Sequence, residues 1–147
     1  MSERLAVGAF VQNKQGKYLL IETQAKIMSS TEKYWDLLRG GVEKGENLLD
    51  ALKRELKEEL GTDKFRNIKN LGMNFSFDFP EEIRKRTGFS SQRVELFFAE
   101  FYGNEEDIKI DGTEIIGFIF LDEKDFSKKA SWDDTKEYFK KFLEMNV

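Results

Sequence analysis

The chain has 147 residues, 39% of them hydrophobic and 14% aromatic, which suits one domain spanning 1–147 with a real core and excludes a disordered tail. Its 24 basic and 28 acidic side chains leave a net charge of -4, which argues against a chain-wide nucleic-acid-binding surface. With no cysteine and no histidine, disulfides, thiolates, zinc–cysteine sites and imidazole bases are excluded, so any chemistry rests on carboxylates, lysine, hydroxyls or a hard cation held by oxygen ligands.

In chain order, RLAVGAFVQ (4–12) and KYLLIET (17–23) are predicted strands joined by the turn NKQG. The polar stretch 24–33 follows, then YWDLL (34–38) as a short strand. Helical periodicity runs from Leu48 to Leu60 and stops at Gly61. IKNLGMNFSFDF (68–79) and VELFFAEFYG (94–103) are predicted strands, separated by a polar, basic loop over 80–93. EIIGFIFL (114–121) is a further strand, and residues 131–145 form a C-terminal amphipathic helix docked by Trp132, Phe139 and Phe142. Trp35 is expected in the core, with base stacking as its alternative. Two helices and five or six strands in mixed order predict an α/β fold with a sheet between helices. No run approaches the roughly 18 apolar residues of a membrane span, and MSERLAVGAF lacks the apolar region of a secretory leader. The expectation is a soluble, cytoplasmic protein with no membrane partner.

The first helix carries a conflict. On a wheel at about 100° per residue, Leu48, Leu49, Leu52, Leu56 and Leu60 share an arc of roughly 120°, with Asp50, Lys53, Arg54 and Lys57 on the solvent side. Glu59 falls inside the leucine arc, Glu55 at its edge and Glu58 just beyond. Clustered carboxylates repel, and charged groups seldom face a core without a partner. Arg54 could serve one glutamate but hardly all three, whereas a divalent cation could serve the cluster. The preceding GGVEKGE is a tight loop whose backbone could approach the same ion.

The spacing Gly40, five residues, Glu46, seven residues, then Arg54-Glu55-Leu56-Lys57-Glu58-Glu59-Leu60-Gly61 resembles the Nudix box, GX5EX7REUXEEXGU with U aliphatic. Chance agreement is on the order of one in a million. Thr62 stands where the pattern ends in an aliphatic residue. Upstream, WDLLRGG differs from the frequent Trp-x-Leu-Pro-Gly-Gly, with Leu38 for the proline and Arg39 for a glycine whose carbonyl often binds metal.

The resemblance implies a Nudix αβα sandwich and hydrolysis of a nucleoside diphosphate linked to another group, with Mg2+ as cofactor and Mn2+ as a substitute. It implies metal ligation by Glu55, Glu58, Glu59 and the Arg39 carbonyl, with Glu55 either a ligand or the base. Arg54 would orient a box glutamate, while Gly40, Glu46 and Gly61 would shape the loop and helix end. Glu114, with Glu100 or Glu95 behind it, is the candidate carboxylate outside the box, against the alternative of an exposed strand-edge charge. Arg39, Arg84, Arg86, Phe89 and Arg93 are candidates for gripping phosphates and a base, the last four as a lid over 80–93 rather than a solvated basic loop. The expected substrate is a nucleoside triphosphate or dinucleoside polyphosphate. The alternatives are an RNA 5′ end, or a Nudix-fold nucleotide sensor without catalysis. A general nucleic-acid-binding role has only the basic loop in its favour. A homodimer is left open.

Overall fold

The computed structural model describes residues 2–27 and 30–145, the side chains of 25–32 excepted. Its strands are β1 (Ser2–Gln12), β2 (Tyr18–Ile27), β3 (Ser30–Asp36), β4 (Leu38–Gly41), β5 (Phe65–Asp78), β6 (Phe89–Phe101) and β7 (Ile115–Leu121). Its helices are α1 (Leu48–Leu60), α2 (Glu81–Thr87), α3 (Glu123–Lys129) and α4 (Asp133–Leu143). The strands form one mixed sheet in the order β3-β2-β1-β6-β5, with β4 paired to β1 and β7 to β2. β1 runs parallel to β6, and the other pairings are antiparallel.

The period-2 alternation of β1 explains the layers. Val7, Ala9 and Val11 point to one face, where Leu52, Leu56 and Leu60 of α1 cover them. Ala6 and Phe10 point to the other, where Phe126 of α3 and Phe139 and Phe142 of α4 close over them. Both faces of β1 are covered, so Ala6–Val11 is buried without interruption. The second face is largely aromatic: Phe10 stacks on Phe142 at 5.1 Å, Phe126 on Phe139 at 4.0 Å, and Tyr18 meets Phe139 edge-on at 5.0 Å. Helices on both faces of a sheet make the αβα sandwich.

The expected order of elements is present, with differences at polar segments. The stretch 24–33 is strand on both sides, since β2 continues to Ile27 and β3 begins at Ser30, while Met28 and Ser29 lie outside the described residues. The basic loop over 80–93 is instead α2 followed by the first residues of β6. Glu81 and Glu82 in the first turn and Arg84, Lys85 and Arg86 in the last favour that helix through its dipole, and Gly88 at φ 79° ends it. None of its residues is buried, so no apolar stripe announced it. α3 is a further helix beyond the two expected, started by the Asp122 side chain accepting from the Asp125 N–H at 2.9 Å. Phe139 and Phe142 dock α4 as expected, but Trp132 stays 38% exposed and meets the Tyr34 ring at a tilt, 4.5 Å between centroids. Trp35 is half-buried against the aromatic face, with the Lys129 ammonium 4.5 Å from its ring. No helix among the described residues is long and apolar enough to cross a membrane.

Candidate active site

β4 brings the glycine loop beside α1. Gly40 pairs with Val7 and Gly41 with Ala6 on β1. A Cβ on Gly40 would collide with the Glu55 carboxylate, and one on Gly41 with the Arg4 guanidinium, so both positions are used for close approach. Asn47 starts α1 by accepting from the Asp50 N–H at 2.8 Å, and Gly61 at φ 68° ends it with its N–H on the Lys57 carbonyl.

Arg54 ties the loop to the helix. Its Nε and Nη2 donate to the two Glu46 carboxylate oxygens at 2.8 and 2.9 Å, a bidentate pair. Nη2 also donates to the Gly41 carbonyl at 2.8 Å, and Nη1 to Glu55 at 2.9 Å and Glu58 at 3.2 Å. Glu46 in turn accepts from the Glu43 N–H at 2.9 Å. The Arg54 hydrogen bonds, helped by that N–H, hold the Glu46 carboxyl down to about 2. The helical wheel placed Arg54 toward solvent, yet its guanidinium is folded under the loop because Glu46 and Gly41 supply acceptors there.

The three glutamates are not equivalent. Glu55 is buried, Glu59 is half-buried, and the Glu58 side chain is 57% exposed. Burial raises the Glu55 carboxyl above its usual range against the pull of Arg54. Glu59 is pushed up to about 7, first by burial and then by the charges of Glu55, Glu114 and Asp111. Glu55 and Glu59 lie close enough that each carboxyl shifts the ionisation of the other. Among the described residues no three acidic groups already close on one point as a finished cage. Glu55, Glu59 and Glu114 are near enough to influence one another and offer only oxygen donors, the kind a hard dication prefers.

One cavity adjoins this cluster, and a second shares Arg39 with it. The first, of about 370 Å3, is lined by Glu59, Glu114, Arg39, Arg86, Thr23 and Gln24 among others. The second, of about 430 Å3, is walled by Phe77, Phe79, Ile83, Trp132, Gln92 and again Arg39. A third, of about 370 Å3 between the β1–β2 turn and residues 101–106, shares no residue with the box.

With this geometry the sequence can be placed among known proteins. Residues 2–142 match the NUDIX domain. The chain belongs to the NUDIX family. An RNA pyrophosphohydrolase from a Nitratiruptor species is 35% identical over 115 residues, 73% of this chain and 74% of the relative. One from the Wolbachia of Brugia malayi is 35% identical over 114 residues, 76% of this chain and 68% of the relative. Among solved structures, the E. coli dihydroneopterin triphosphate pyrophosphohydrolase superposes with a TM-score of 0.72 at 16% identity, covering 97% of this chain and 98% of that one. The C. elegans Ap4A hydrolase does so at 0.69 and 21% identity, covering 95% of each chain. These structural likenesses concern the fold, and the sequence matches give the reaction class: this Nudix protein is a hydrolase acting on phosphoanhydride bonds.

The Nudix cleft gathers some of the expected side chains and leaves others apart. Glu55, Glu59, Glu114, Arg39 and Arg86 come together, with the Arg39 backbone in the β1–β4 ladder opposite Gly8. Arg84 is instead turned onto the Phe79 carbonyl at 2.8 Å. Arg93 pairs with Glu95 at 3.2 Å and Glu3 at 3.5 Å, and neither Arg93 nor Phe89 lines either of the two cavities at Arg39. Glu100 is held by Arg66 and Asn67 away from the cluster. Sequence alone missed Asp36, Phe77, Phe79 and Gln92 as cleft residues. The alternation of Phe75, Phe77 and Phe79 was a visible signal, but nothing in the pattern told its face.

Proposed function

We propose that this Nudix protein is a magnesium-dependent pyrophosphohydrolase that cleaves within a polyphosphate chain carried by a nucleoside. The observation carrying this assignment is that Glu59 lines one cavity with Glu114, Arg39 and Arg86, beside the buried Glu55 that Arg54 holds. Glu55, Glu58 and Glu59 would hold the cation, with the Arg39 carbonyl as a further candidate ligand. When bound, the ion neutralises polyphosphate charge and activates the attacking water.

The chain's own groups supply the rest. Arg54 fixes the rotamers of Glu55 and Glu58 through the bonds that also anchor the loop. Glu59 and Glu114 flank the cavity where water and phosphate meet, and the base that takes the proton comes from this acidic set. Arg86, exposed at the end of α2, grips an outer phosphate. The neighbouring cavity takes a base against Phe77, Phe79 and Trp132, whose rings offer the apolar faces that stacking needs.

The nucleoside we assign is the first residue of a 5′-triphosphorylated RNA, supported by the relatives named RNA pyrophosphohydrolase. A free nucleoside triphosphate or dinucleoside polyphosphate is the second candidate, favoured by a base cavity of only about 430 Å3. The test is product release from 5′-triphosphorylated RNA, the common nucleoside triphosphates and diadenosine tetraphosphate, with and without Mg2+. Glu58→Gln should lower kcat by about a hundredfold or more, close to 2.7 kcal/mol of barrier. Its melting temperature should stay near that of the parent, because the side chain is exposed. Near-normal turnover in that variant would rule out Glu58 as a ligand. Binding without cleavage of any substrate by the parent would leave a nucleotide sensor.

A further inference from the structure

Arg39 lines both cavities and stands where the frequent pattern upstream of the box has a glycine. Asp36, 7% exposed, accepts from the Leu37 N–H at 2.8 Å and from the Thr135 hydroxyl at 2.8 Å, both through Oδ1. Its Oδ2 pairs with Arg39 Nη2 at 2.6 Å. That same Nη2 donates to the Thr135 hydroxyl at 3.3 Å, so carboxylate, hydroxyl and guanidinium close a triangle. The Phe75 and Phe77 rings lie 5.2 and 5.8 Å from the guanidinium carbon. Thr135 is fully buried in the first turn of α4, just after Trp132, which walls the second cavity.

A buried ion pair is a poor way to stabilise a fold, since desolvation offsets much of its attraction. This one also leaves Nε buried without an acceptor. The arrangement therefore favours where the guanidinium is held over how fully its donors are matched. Nη2 is occupied by the triangle, while Nη1 makes no hydrogen bond within the described residues. A nucleotide with its polyphosphate in one cavity and its base in the other must pass Arg39. We propose that Asp36 and Thr135 are positioning residues that present Arg39, already ordered, to the phosphate nearest the nucleoside. This rests on the nucleotide assignment above and adds a specificity device in which seating of α4 sets the reach of a β4 side chain.

The decisive substitution is Thr135→Val, which keeps shape and removes the hydroxyl, with Thr135→Ser as its conservative partner. For 5′-triphosphorylated RNA or the preferred nucleotide, Thr135→Val should raise KM about threefold to tenfold with kcat within about twofold, and Thr135→Ser should restore KM. Arg39→Met should raise KM about tenfold or more, and adding Thr135→Val to it should change KM no further. Because Arg39→Met strands a buried carboxylate, Asp36→Asn/Arg39→Met serves as the folded control. Binding of a methylene-bridged nucleoside triphosphate and of inorganic tripolyphosphate is measured alongside, with the larger loss expected for the nucleotide.

Equal losses on both ligands would put Arg39 on the outer phosphates and overturn the proposal. So would a Thr135→Val protein with a lowered melting temperature and unchanged KM, which is the signature of a purely structural hydroxyl. A parent protein that neither binds nor cleaves any nucleotide polyphosphate would sink the nucleotide assignment and this proposal together. A parent that does both, with KM indifferent to Thr135, would sink the proposal alone.

Discussion

Single side chains in this cleft are held by contacts that helical periodicity cannot show. The wheel of α1 identified Leu52, Leu56 and Leu60 as core residues and set the glutamates apart from the solvated face. It also put Leu49 inside the stripe and Arg54 outside. Leu49 is 40% exposed, and the buried surface runs instead through Ala51 and Glu55. The shift arises because Gly40 has no Cβ and lets Glu55 lie against β4. Gly40→Ala tests that contact directly. Its methyl group must displace the Glu55 carboxylate or the strand, a form of overpacking that costs about 1–3 kcal/mol. The expected outcome is a lower denaturant midpoint together with a large drop in kcat, since the displaced group is the buried member of the acidic pair. A variant with parental stability and turnover would show that the strand and helix can separate without harm.

Whole elements were legible where an apolar period was strong and obscure where it was absent. β1, α1 and β7 each expose a clear pattern to their neighbours, and each falls close to its expected place. α2 has no buried residue, so only its charge order and Gly88 marked it, and a basic loop was the natural expectation. The polar residues at the ends of β2 and β3 carry no apolar period either, which is why a loop is expected there. The start of α1 shows what a local signal contributes. Asn47 caps the helix through the Asp50 N–H and also donates to the Asp50 carboxylate at 3.1 Å. Asn47→Ala should cost about 1 kcal/mol of unfolding free energy, seen as a lower urea midpoint at constant m-value. Turnover should change little, because Arg54 and Glu46 still bind the loop to the helix. A fall in kcat out of proportion to the stability loss would mean that the cap, and not Arg54, sets the geometry of the glutamates.

At the scale of the molecule, the sheet separates two interiors of different chemistry. The α1 side is mainly aliphatic and carries the acidic cluster at its edge, while the α3–α4 side is richer in aromatic rings and carries one titratable group, Tyr18, among its buried core residues. Tyr18 is 6% exposed, and its hydroxyl accepts from the Gln12 amide at 3.3 Å. Burial, with a smaller contribution from the charge of Glu123, raises its pKa above the usual 10.0. The sign of the stability effect follows. Below the unfolded-state pKa both states keep the phenol proton and Tyr18 contributes no pH dependence. As pH rises above it, the unfolded chain ionises while the folded one resists, so the native state loses stability until the raised folded pKa is passed. Tyr18→Phe removes the titration and costs little at neutral pH, since Gln12 retains the Gly16 carbonyl at 3.3 Å as a partner. Melting curves of parent and variant should run nearly together at pH 7–9 and separate above about pH 10, with the parent falling faster. Other alkaline effects, from lysines and exposed tyrosines, act on both proteins alike and cancel in the difference. Parallel curves through that range would mean that the Tyr18 hydroxyl reaches solvent and that the aromatic face is looser than its ring contacts imply.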